Sequence, residues 1–176
     1  VAAVAYPVFD CESIICGRVR KLIDEENAKK LELKKGDNLV VGNTLLDIYW
    51  PPVGCSLGSN DCSVVFILAA GSFEVLFTGD SEEGGQLGML KNTKISRIEA
   101  LKVPHHGADC LADRFLQVVS PAVSIISVGK NSYGHPTEQT LEKLRAVGSE
   151  VFRTDRDSTV EIVSDGKGWW VESGKR

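Results

Sequence analysis

The chain has 176 residues, of which 43% are hydrophobic, and 24 acidic against 20 basic residues leave a formal net charge of -4. This composition is typical of one globular domain, and it argues against a surface that holds nucleic acid by charge alone, because such binding needs Lys and Arg to neutralise phosphates. A nucleic-acid substrate is not excluded, since bound cations supply local positive charge. No apolar run of the sequence approaches the roughly 20 residues that span a bilayer. We therefore expect residues 1–176 to form a single domain.

The first half of the chain changes from a helical to a strand-like pattern after residue 38. Gly42-Asn43 offers the positive φ angles of a two-residue hairpin turn, and Ala70-Gly71-Ser72 joins the next two strands. The elements predicted in this half are a surface helix over 18–30, a hairpin over 38–50, a loop over 54–61, and strands over 63–69 and 73–78.

The second half of the chain alternates between short apolar runs and helical patterns. Leu111, Phe115 and Val119 share one helical stripe, and a later helix begins after Pro136 and ends at Gly148. The predicted order is a strand over 100–103, the helix through Phe115, a strand over 123–128, a helix over 137–147, strands over 150–154 and 159–164, and a last strand with Trp169 and Trp170. This alternation favours a layered α/β domain.

The five cysteines are odd in number and irregularly spaced. Neither Cys11 with Cys16 nor Cys55 with Cys62 has the two-residue spacing of a zinc knuckle. We therefore infer no disulfide framework from the sequence. The cysteines are expected to be small buried hydrophobic residues and loop thiols.

The histidines carry the main functional signal. All three, His105, His106 and His135, follow short apolar runs, and Asp80 follows the apolar run 73–79. Predicted strands end at these positions, and open α/β sheets build their active sites there. Imidazole and carboxylate are the usual ligands of zinc, manganese or iron, and together they suit a metal that activates water. Hydrolysis is therefore the first reaction class that the pattern indicates.

A family resemblance lies in four motifs and in the end of the chain. The motifs are, in order, Asn60-Asp61-Cys62-Ser63, Phe77-Thr78-Gly79-Asp80, the segment 101–107 with His105-His106-Gly107, and the segment 127–136 with Asn131-Ser132-Tyr133-Gly134-His135-Pro136. Arg153-Thr154-Asp155 and Asp165-Gly166 follow them. Together they resemble the metallo-β-lactamase-like domain of the ComEC/Rec2 competence proteins over most of residues 36–176. The resemblance implies an α/β fold of the αββα sandwich type, with a dinuclear metal site between its two sheets.

The resemblance also implies roles for single residues. Asp80 would bridge two divalent metal ions, zinc or manganese, and one of His105 and His106 would ligate a metal while the other faces the substrate. Asn60 and Ser63 stand where many relatives with this fold place a further histidine ligand. Their oxygen atoms suit a harder ion such as manganese.

One metal motif of the fold is missing. The cluster His-x-His-x-Asp-His, or a close variant, does not occur in the sequence. In the family it lies upstream of a region like residues 1–50, so we expect this chain to be the carboxyl-terminal portion of a longer domain, incomplete at its N-terminus. The opening residues Val1-Ala2-Ala3 fit a chain cut within a domain. We expect that these residues alone cannot assemble a complete two-metal site.

Catalytic and substrate-binding residues can be predicted around that site. Asp80 and His135 are the catalytic candidates, with His135 donating a proton to the leaving oxygen or binding phosphate. Plainer interpretations stay open, because Asp80 could form a turn and His135 could cap the helix that follows. Lysine can meet phosphate and tyrosine can stack on a base. The residues predicted to contact substrate are Asn60, Ser63, Lys102, Asn131 and Tyr133.

Three functions remain open at this point. The first is a metal-dependent phosphodiesterase that degrades single-stranded DNA during competence-type uptake, with the membrane channel portion of the same polypeptide or complex as its partner. The second is a hydrolase of another ester, such as a lactone, a thioester or a phosphorylcholine ester, and the third is a truncated module that binds without turnover. A competence protein would hold the domain at the extracytoplasmic face of the cell membrane, whereas a freestanding relative would be cytoplasmic.

Overall fold

A computed structural model of the chain describes residues 2–7 and 13–174. Its strands are β1 (Ala3–Pro7), β2 (Lys29–Leu33), β3 (Asn38–Val41), β4 (Thr44–Trp50), β5 (Val65–Ala70), β6 (Phe73–Phe77), β7 (Ala100–Lys102), β8 (Val123–Ile126), β9 (Glu150–Arg153), β10 (Val160–Ser164) and β11 (Trp169–Ser173). Its helices are α1 (Ile14–Glu25), α2 (Glu83–Asn92), α3 (Asp113–Val119), α4 (Glu138–Ala146) and α5 (Thr154–Asp157), with a 3-10 turn at Pro104–Gly107. In this described part of the chain, no helix is long and apolar enough to cross a membrane.

Seven strands form one mixed sheet in the order β3-β4-β5-β6-β7-β8-β9. Strands β3 to β6 pair antiparallel, and β6 to β9 pair in parallel. Phe77 at the end of β6 stands opposite Lys102 in β7, and Lys102 stands opposite Ile125 in β8. The loops that leave these three strands therefore start side by side at one edge of the sheet.

The sheet has a different cover on each face. Helices α2, α3 and α4 cover one face, where Leu76, Phe115 and Leu144 are fully buried. The hairpin β10-β11 contributes to a smaller cluster on the other face, where the Phe73 and Trp169 ring centroids lie 5.6 Å apart. Strand β6 serves both faces because successive side chains alternate along a strand. The layered α/β arrangement predicted from the sequence is thus confirmed.

Helix α2 was not predicted from the sequence. Gly84, Gly85 and Gly88 lie within it, and each glycine lowers helix propensity by about 1 kcal/mol relative to alanine. Tertiary packing stabilises the helix instead, because Met89 is buried in the core and a Cβ at Gly88 would lie 2.7 Å from the Trp50 ring. The missing side chain at Gly88 lets the helix approach the sheet closely.

The prediction for the first helix was wrong in its bounds. Helix α1 begins at Ile14, where the Ser13 side chain accepts a hydrogen bond from the Cys16 amide, and it ends at Glu25. Lys29 and Lys30, predicted as the end of this helix, instead begin β2, which pairs in parallel with β1. A pairing with a distant strand overrides the local charged pattern, which alone cannot reveal it.

The expectation for the cysteines was also wrong. Cys55 and Cys62, seven positions apart, form a disulfide in the loop before β5, and Cys16 is disulfide-bonded as well. Cys110 is the free cysteine of the described residues, and Cys11 lies outside them. Disulfide connectivity depends on the fold, so irregular spacing could not predict it.

Candidate active site

Three loops meet at the edge where β6, β7 and β8 end, and each carries a motif singled out from the sequence. The first loop carries Asp80, the second the two adjacent histidines, and the third His135. A backbone hydrogen bond joins the first two loops, because the His105 amide donates to the Gly79 carbonyl at 3.3 Å. The parallel strands thus bring together residues that are distant in sequence.

The His-His-Gly loop has a strained backbone. His105 and His106 have φ angles of 47° and 55°, and Gly107 has a φ of 83°, so three consecutive residues are left-handed. For a residue other than glycine this conformation costs about 1–3 kcal/mol and persists only where the surroundings fix it. The surroundings fix this loop at Gly107. Its carbonyl accepts a hydrogen bond from the Thr137 amide at 2.9 Å, and a Cβ at this position would lie 2.6 Å from Pro136. Strain of this kind accumulates at functional sites.

His106 is anchored through one ring nitrogen and open at the other. Its Nδ1 lies 2.7 Å from the Ser127 carbonyl oxygen, which can only accept, so Nδ1 carries the proton. In the neutral ring Nε2 therefore keeps its lone pair, and it lies 3.8 Å from Asp80 Oδ1. An imidazole held by a backbone carbonyl is the usual arrangement of a metal-binding histidine.

His105 faces a different set of groups. Its Nδ1 lies 3.4 Å from Glu82 Oε1, and its ring centroid lies 5.8 Å from that of His135. Among the described residues, neither His105 Nδ1 nor His135 Nδ1 has a hydrogen-bond partner, although both atoms are buried. Leaving a buried nitrogen unpaired costs free energy, so the His135 ring suits a partner that comes from outside, whereas His105 Nδ1 already faces the Glu82 carboxylate. The sequence did not reveal Glu82, for which the only signal was a carboxylate two positions after Asp80.

The Asp80 loop is held by two residues that were predicted to contact substrate. The Asp80 amide donates to Ser63 Oγ at 3.2 Å, and Asp80 Oδ1 lies 3.9 Å from the Lys102 ammonium. Lys102 also donates to the Gly79 carbonyl at 2.9 Å. Burial lowers the pKa of Lys102, and the nearby Asp80 carboxylate acts in the opposite direction. Both side chains are thus engaged with this loop, and their contact with substrate stays a prediction.

The two asparagines predicted to bind substrate also have partners within the protein. Asn60 Nδ2 donates to Glu82 Oε1 at 2.9 Å. Asn131 Oδ1 accepts from the amides of Tyr133 and His135, both at 3.1 Å, while its Nδ2 donates to the carbonyls of Gly129 at 3.0 Å and His135 at 2.8 Å. These four bonds use the whole hydrogen-bonding capacity of an amide side chain. A contact of Asn131 with substrate would require one of them to break.

An open pocket of about 460 Å³ lies beside His106 and His135. Tyr133 lines it with a side chain that is 82% exposed, and its ring stacks on His135 with centroids 5.9 Å apart and 21° between the planes. Thr154 also lines the pocket, and its hydroxyl accepts from the Val128 amide at 2.8 Å. The pocket therefore combines an exposed aromatic ring with the imidazoles of the site.

Asp80 and His106 fit a divalent metal ion in kind. A carboxylate oxygen and a proton-free imidazole nitrogen are good ligands, and they already lie side by side. They do not suffice in number, because no three His, Cys, Asp or Glu side chains of the described residues come together as a group that could hold a metal. The described residues therefore do not assemble a two-metal ligand set by themselves.

No protein-family model matches the chain. Two competence proteins resemble it: ComE operon protein 3 of Bacillus subtilis is 30% identical over 146 residues, and competence protein ComA of Neisseria gonorrhoeae is 32% identical over 112 residues. The matches cover 82% and 61% of this chain, but 19% and 16% of the relatives. The chain thus spans less than a fifth of the length of these relatives. The resemblance to the competence proteins is thereby confirmed.

Solved structures are similar in fold. CmlA, a diiron β-hydroxylase from Streptomyces venezuelae, matches with a TM-score of 0.56 and 13% identity, and the match covers 87% of this chain and 38% of CmlA. YhfI, a metallo-β-lactamase fold protein from Bacillus subtilis, matches with a TM-score of 0.47 and 13% identity over 96% of this chain and 66% of YhfI. At this identity, the likeness to CmlA shows a shared fold alone. The layered sheet and the competence relatives agree with the expected metallo-β-lactamase-like fold, which is confirmed.

Proposed function

We propose that the chain contributes to the active site of a metal-dependent hydrolase, in which Asp80 and His106 ligate a divalent ion. The observation that carries the proposal is the anchored His106 ring, whose proton-free Nε2 lies 3.8 Å from Asp80 Oδ1. The strained backbone that presents this ring supports it, because such strain accumulates where function requires it. When bound, a pair of divalent ions would lower the pKa of a water molecule and stabilise the attacking and leaving oxygens.

We propose that the remaining metal ligands come from a segment outside the described residues. The described side chains form no group of three potential ligands, and the sequence lacks the His-x-His-x-Asp-His cluster. The matched segments make up only 19% and 16% of the competence relatives, so a longer polypeptide has room for such a cluster. The complete set would hold two ions, zinc or manganese, with Asp80 between them.

The proposed substrate is the phosphodiester backbone of single-stranded DNA. Support comes from the competence relatives and from the pocket that Tyr133 and Lys130 line beside the histidines. An exposed aromatic ring can stack on an unpaired base, which is worth about 1–3 kcal/mol per base, and duplex DNA does not offer that face. Lys130 can meet a phosphate at the rim of the same pocket.

Proton transfer is assigned to the other two imidazoles. His135 would donate a proton to the leaving oxygen, because its buried Nδ1 has no partner among the described residues and its backbone is held by Asn131. His105 lies between His135 and Glu82. A ring between a carboxylate and another imidazole suits proton transfer, which is the role proposed for His105.

A second candidate function is a module that binds without turnover. The described residues contain no three-ligand group, which favours such a binding module over a hydrolase of a different ester. No contact among the described residues points specifically to a lactone, a thioester or a phosphorylcholine ester. The two candidates differ in whether a longer polypeptide that includes this chain cleaves a substrate.

The proposed location is the extracytoplasmic face of the cell membrane, in a polypeptide or complex that also contains a membrane channel. The competence relatives support the association with a membrane-bound uptake machinery. The Cys55–Cys62 disulfide and the disulfide of Cys16 support the extracytoplasmic side of the membrane, because disulfides persist in oxidising compartments and are rare in the cytoplasm.

The experiment that tests the proposal compares this chain with a polypeptide extended upstream through a His/Asp cluster. Both are incubated with labelled single-stranded DNA, duplex DNA, a lactone and a thioester, with Mn²⁺ or Zn²⁺ and with EDTA. We expect only the extended polypeptide to cleave single strands, and only with metal. Cleavage by this chain in EDTA would refute the ligand argument, hydrolysis of the other esters alone would refute the DNA substrate, and no turnover by a folded, metal-loaded polypeptide would favour the binding module.

A further inference from the structure

The loop between β4 and β5 contacts the start of helix α2, next to the candidate site. Asp61 makes the contact: its Oδ1 accepts hydrogen bonds from the amides of Glu82 at 2.9 Å and Gly85 at 2.7 Å. The first amides of a helix have no partner inside the helix, so a carboxylate from another loop can cap them. Asp61 thereby fixes the backbone from which the Glu82 side chain projects.

The residues on either side of Asp61 contact the same segment. Asn60 Nδ2 donates to Glu82 Oε1 at 2.9 Å, and Ser63 Oγ accepts from the Asp80 amide at 3.2 Å. Three residues within four consecutive positions thus contact Asp80 and Glu82, the two carboxylates nearest the histidines. We call the segment 55–63 the clamp loop.

The clamp loop fits tightly against its partner segment. A Cβ at Gly85 would lie 2.6 Å from the Asp61 carbonyl oxygen, and a Cβ at Gly84 would lie 2.8 Å from Asp61 Oδ2. At Gly79 a Cβ would lie 2.8 Å from Ser63 Cβ. At Gly85 the close neighbour is backbone and at Gly79 it is the Ser63 Cβ, so a side chain at either position would force the clamp loop away from its partner segment.

A disulfide closes the clamp loop. Cys55 and Cys62 are bonded to each other, and Cys62 is only 1% exposed. The Trp50 indole N–H adds a second tie, donating to the Asp61 carbonyl at 2.6 Å. The loop has no helix or strand of its own between residues 51 and 64, so these links replace regular secondary structure in holding Asp61 in place.

We propose that Asp61 is a positioning residue for the candidate site and that the Cys55–Cys62 disulfide keeps it there, so that reduction of this bond loosens Asp80 and Glu82. Reduction by a small dithiol breaks the Sγ–Sγ bond, transfers two electrons and two protons to the cysteines, and leaves the dithiol as a cyclic disulfide. The inference rests on the proposed function only for the roles of the two carboxylates. The arrangement of the clamp loop does not depend on those roles.

Hydrogen exchange of single amides, measured by NMR on this chain, tests the tether. In the oxidised chain the Glu82 and Gly85 amides should be protected, and in the Cys55→Ser/Cys62→Ser variant they should exchange about tenfold faster. The Lys167 and Gly168 amides are a matched control, because they donate to Asp165 Oδ1 at 2.8 Å and 2.7 Å in a turn without a disulfide. Their exchange should not change. The double variant is used because a dithiol would also reduce the disulfide of Cys16.

Substitutions at Asp61 separate positioning from general stability. Asp61→Ala should speed exchange at Glu82 and Gly85 and shift the ring signals of His105, which faces Glu82. Asp61→Asn keeps an acceptor oxygen and should restore most of the protection and the His105 signals. Asp165→Ala removes the control acceptor and should leave all three histidine spectra unchanged.

The outcomes distinguish this inference from the proposed function. Unchanged exchange at Glu82 and Gly85 in the disulfide-free variant, with the chain still folded, would overturn the tether. Equal His105 spectra in Asp61→Ala and the parent chain would overturn the positioning role of Asp61. Failure of a longer polypeptide with the complete ligand set to bind Zn²⁺ at His106 would count against the proposed function and would leave the exchange result on this chain to decide the clamp loop on its own.

Discussion

The adjacent residues His105 and His106 have different surroundings, which suit the same kind of side chain to two different roles. The Nδ1–H group of His106 donates a hydrogen bond to the Ser127 carbonyl and its Nε2 faces Asp80, whereas the buried Nδ1 of His105 lies beside Glu82. Two successive left-handed residues direct these side chains to different partners. An anchored ring with a fixed tautomer suits a metal ion, and a ring between a carboxylate and another imidazole suits proton transfer. The predictions below test this division.

The largest effect is expected at Asp80, the proposed metal ligand beside the anchored His106 ring. In a longer polypeptide with the complete ligand set, Asp80→Asn should lower the affinity for Zn²⁺ more than about 100-fold, because loss of a partner outside the metal's own ligands already costs 10- to 100-fold. Calorimetric titration measures the affinity. Asp109→Asn, an exposed aspartate nearby in the chain, is the control. Equal affinities of Asp80→Asn and the parent chain would remove Asp80 from the ligand set.

Single substitutions of the two adjacent histidines should separate binding from turnover. In a longer polypeptide with the complete ligand set, His106→Ala should lose Zn²⁺ affinity, whereas His105→Ala should retain it and lose about 10²- to 10⁴-fold in kcat. The reason is that only His106 has a proton-free nitrogen directed at Asp80. Titration and steady-state kinetics on both variants provide the comparison. Two variants that lose the metal equally would contradict the division.

A smaller effect is expected at His135, on the proton-transfer side. His135→Ala in the active polypeptide should lower kcat about 10²-fold with unchanged metal affinity, because a positioned acid contributes at least that much. The measurement is kcat at saturating substrate and metal. Wild-type kcat would remove His135 from proton transfer. The plainer interpretation, that His135 caps α4, was wrong, because the Thr137 side chain caps this helix by accepting from the Thr140 amide.

The smallest effect is expected at Tyr133, in the pocket beside the histidines. Tyr133→Leu should raise KM for single-stranded DNA roughly tenfold and leave kcat unchanged, because base stacking is lost. Tyr133→Phe keeps the aromatic face and is the matched control. A similar KM in both variants would show that the exposed ring does not contact a base.

Much of the fold could be predicted because the signals are local. Strands β5, β6 and β8 are short apolar runs between turn residues, and α4 begins after Pro136 and ends before Gly148. Helix α2 and strand β2 could not be predicted, since the first depends on packing of Gly88 against Trp50 and the second on pairing with β1. Distant contacts stabilise both elements against their local propensity.

The same distinction holds at the site. The residues that follow strands β6 to β8, Asp80 and the histidines, meet as the sequence predicts, because parallel strands end at one edge. Glu82 and the Cys55–Cys62 bond were missed, because their importance arises from a loop of the antiparallel half that contacts the start of α2. The motifs predicted which residues meet at the ends of the parallel strands. They did not predict the contacts that hold those residues in place.

The most direct test of the proposed metal site is the ¹⁵N spectrum of the imidazole side chains of a longer polypeptide, one with the complete ligand set, during titration with Zn²⁺. All three histidines of this chain lie at the site, so their signals report on it directly. The account predicts that Nε2 of His106 moves from the shift of a proton-free nitrogen toward that of a metal-bound one, that its Nδ1 stays protonated, and that Asp80→Asn abolishes the change. A metal shift that appears first at His135, or one at His106 that survives Asp80→Asn, would contradict it.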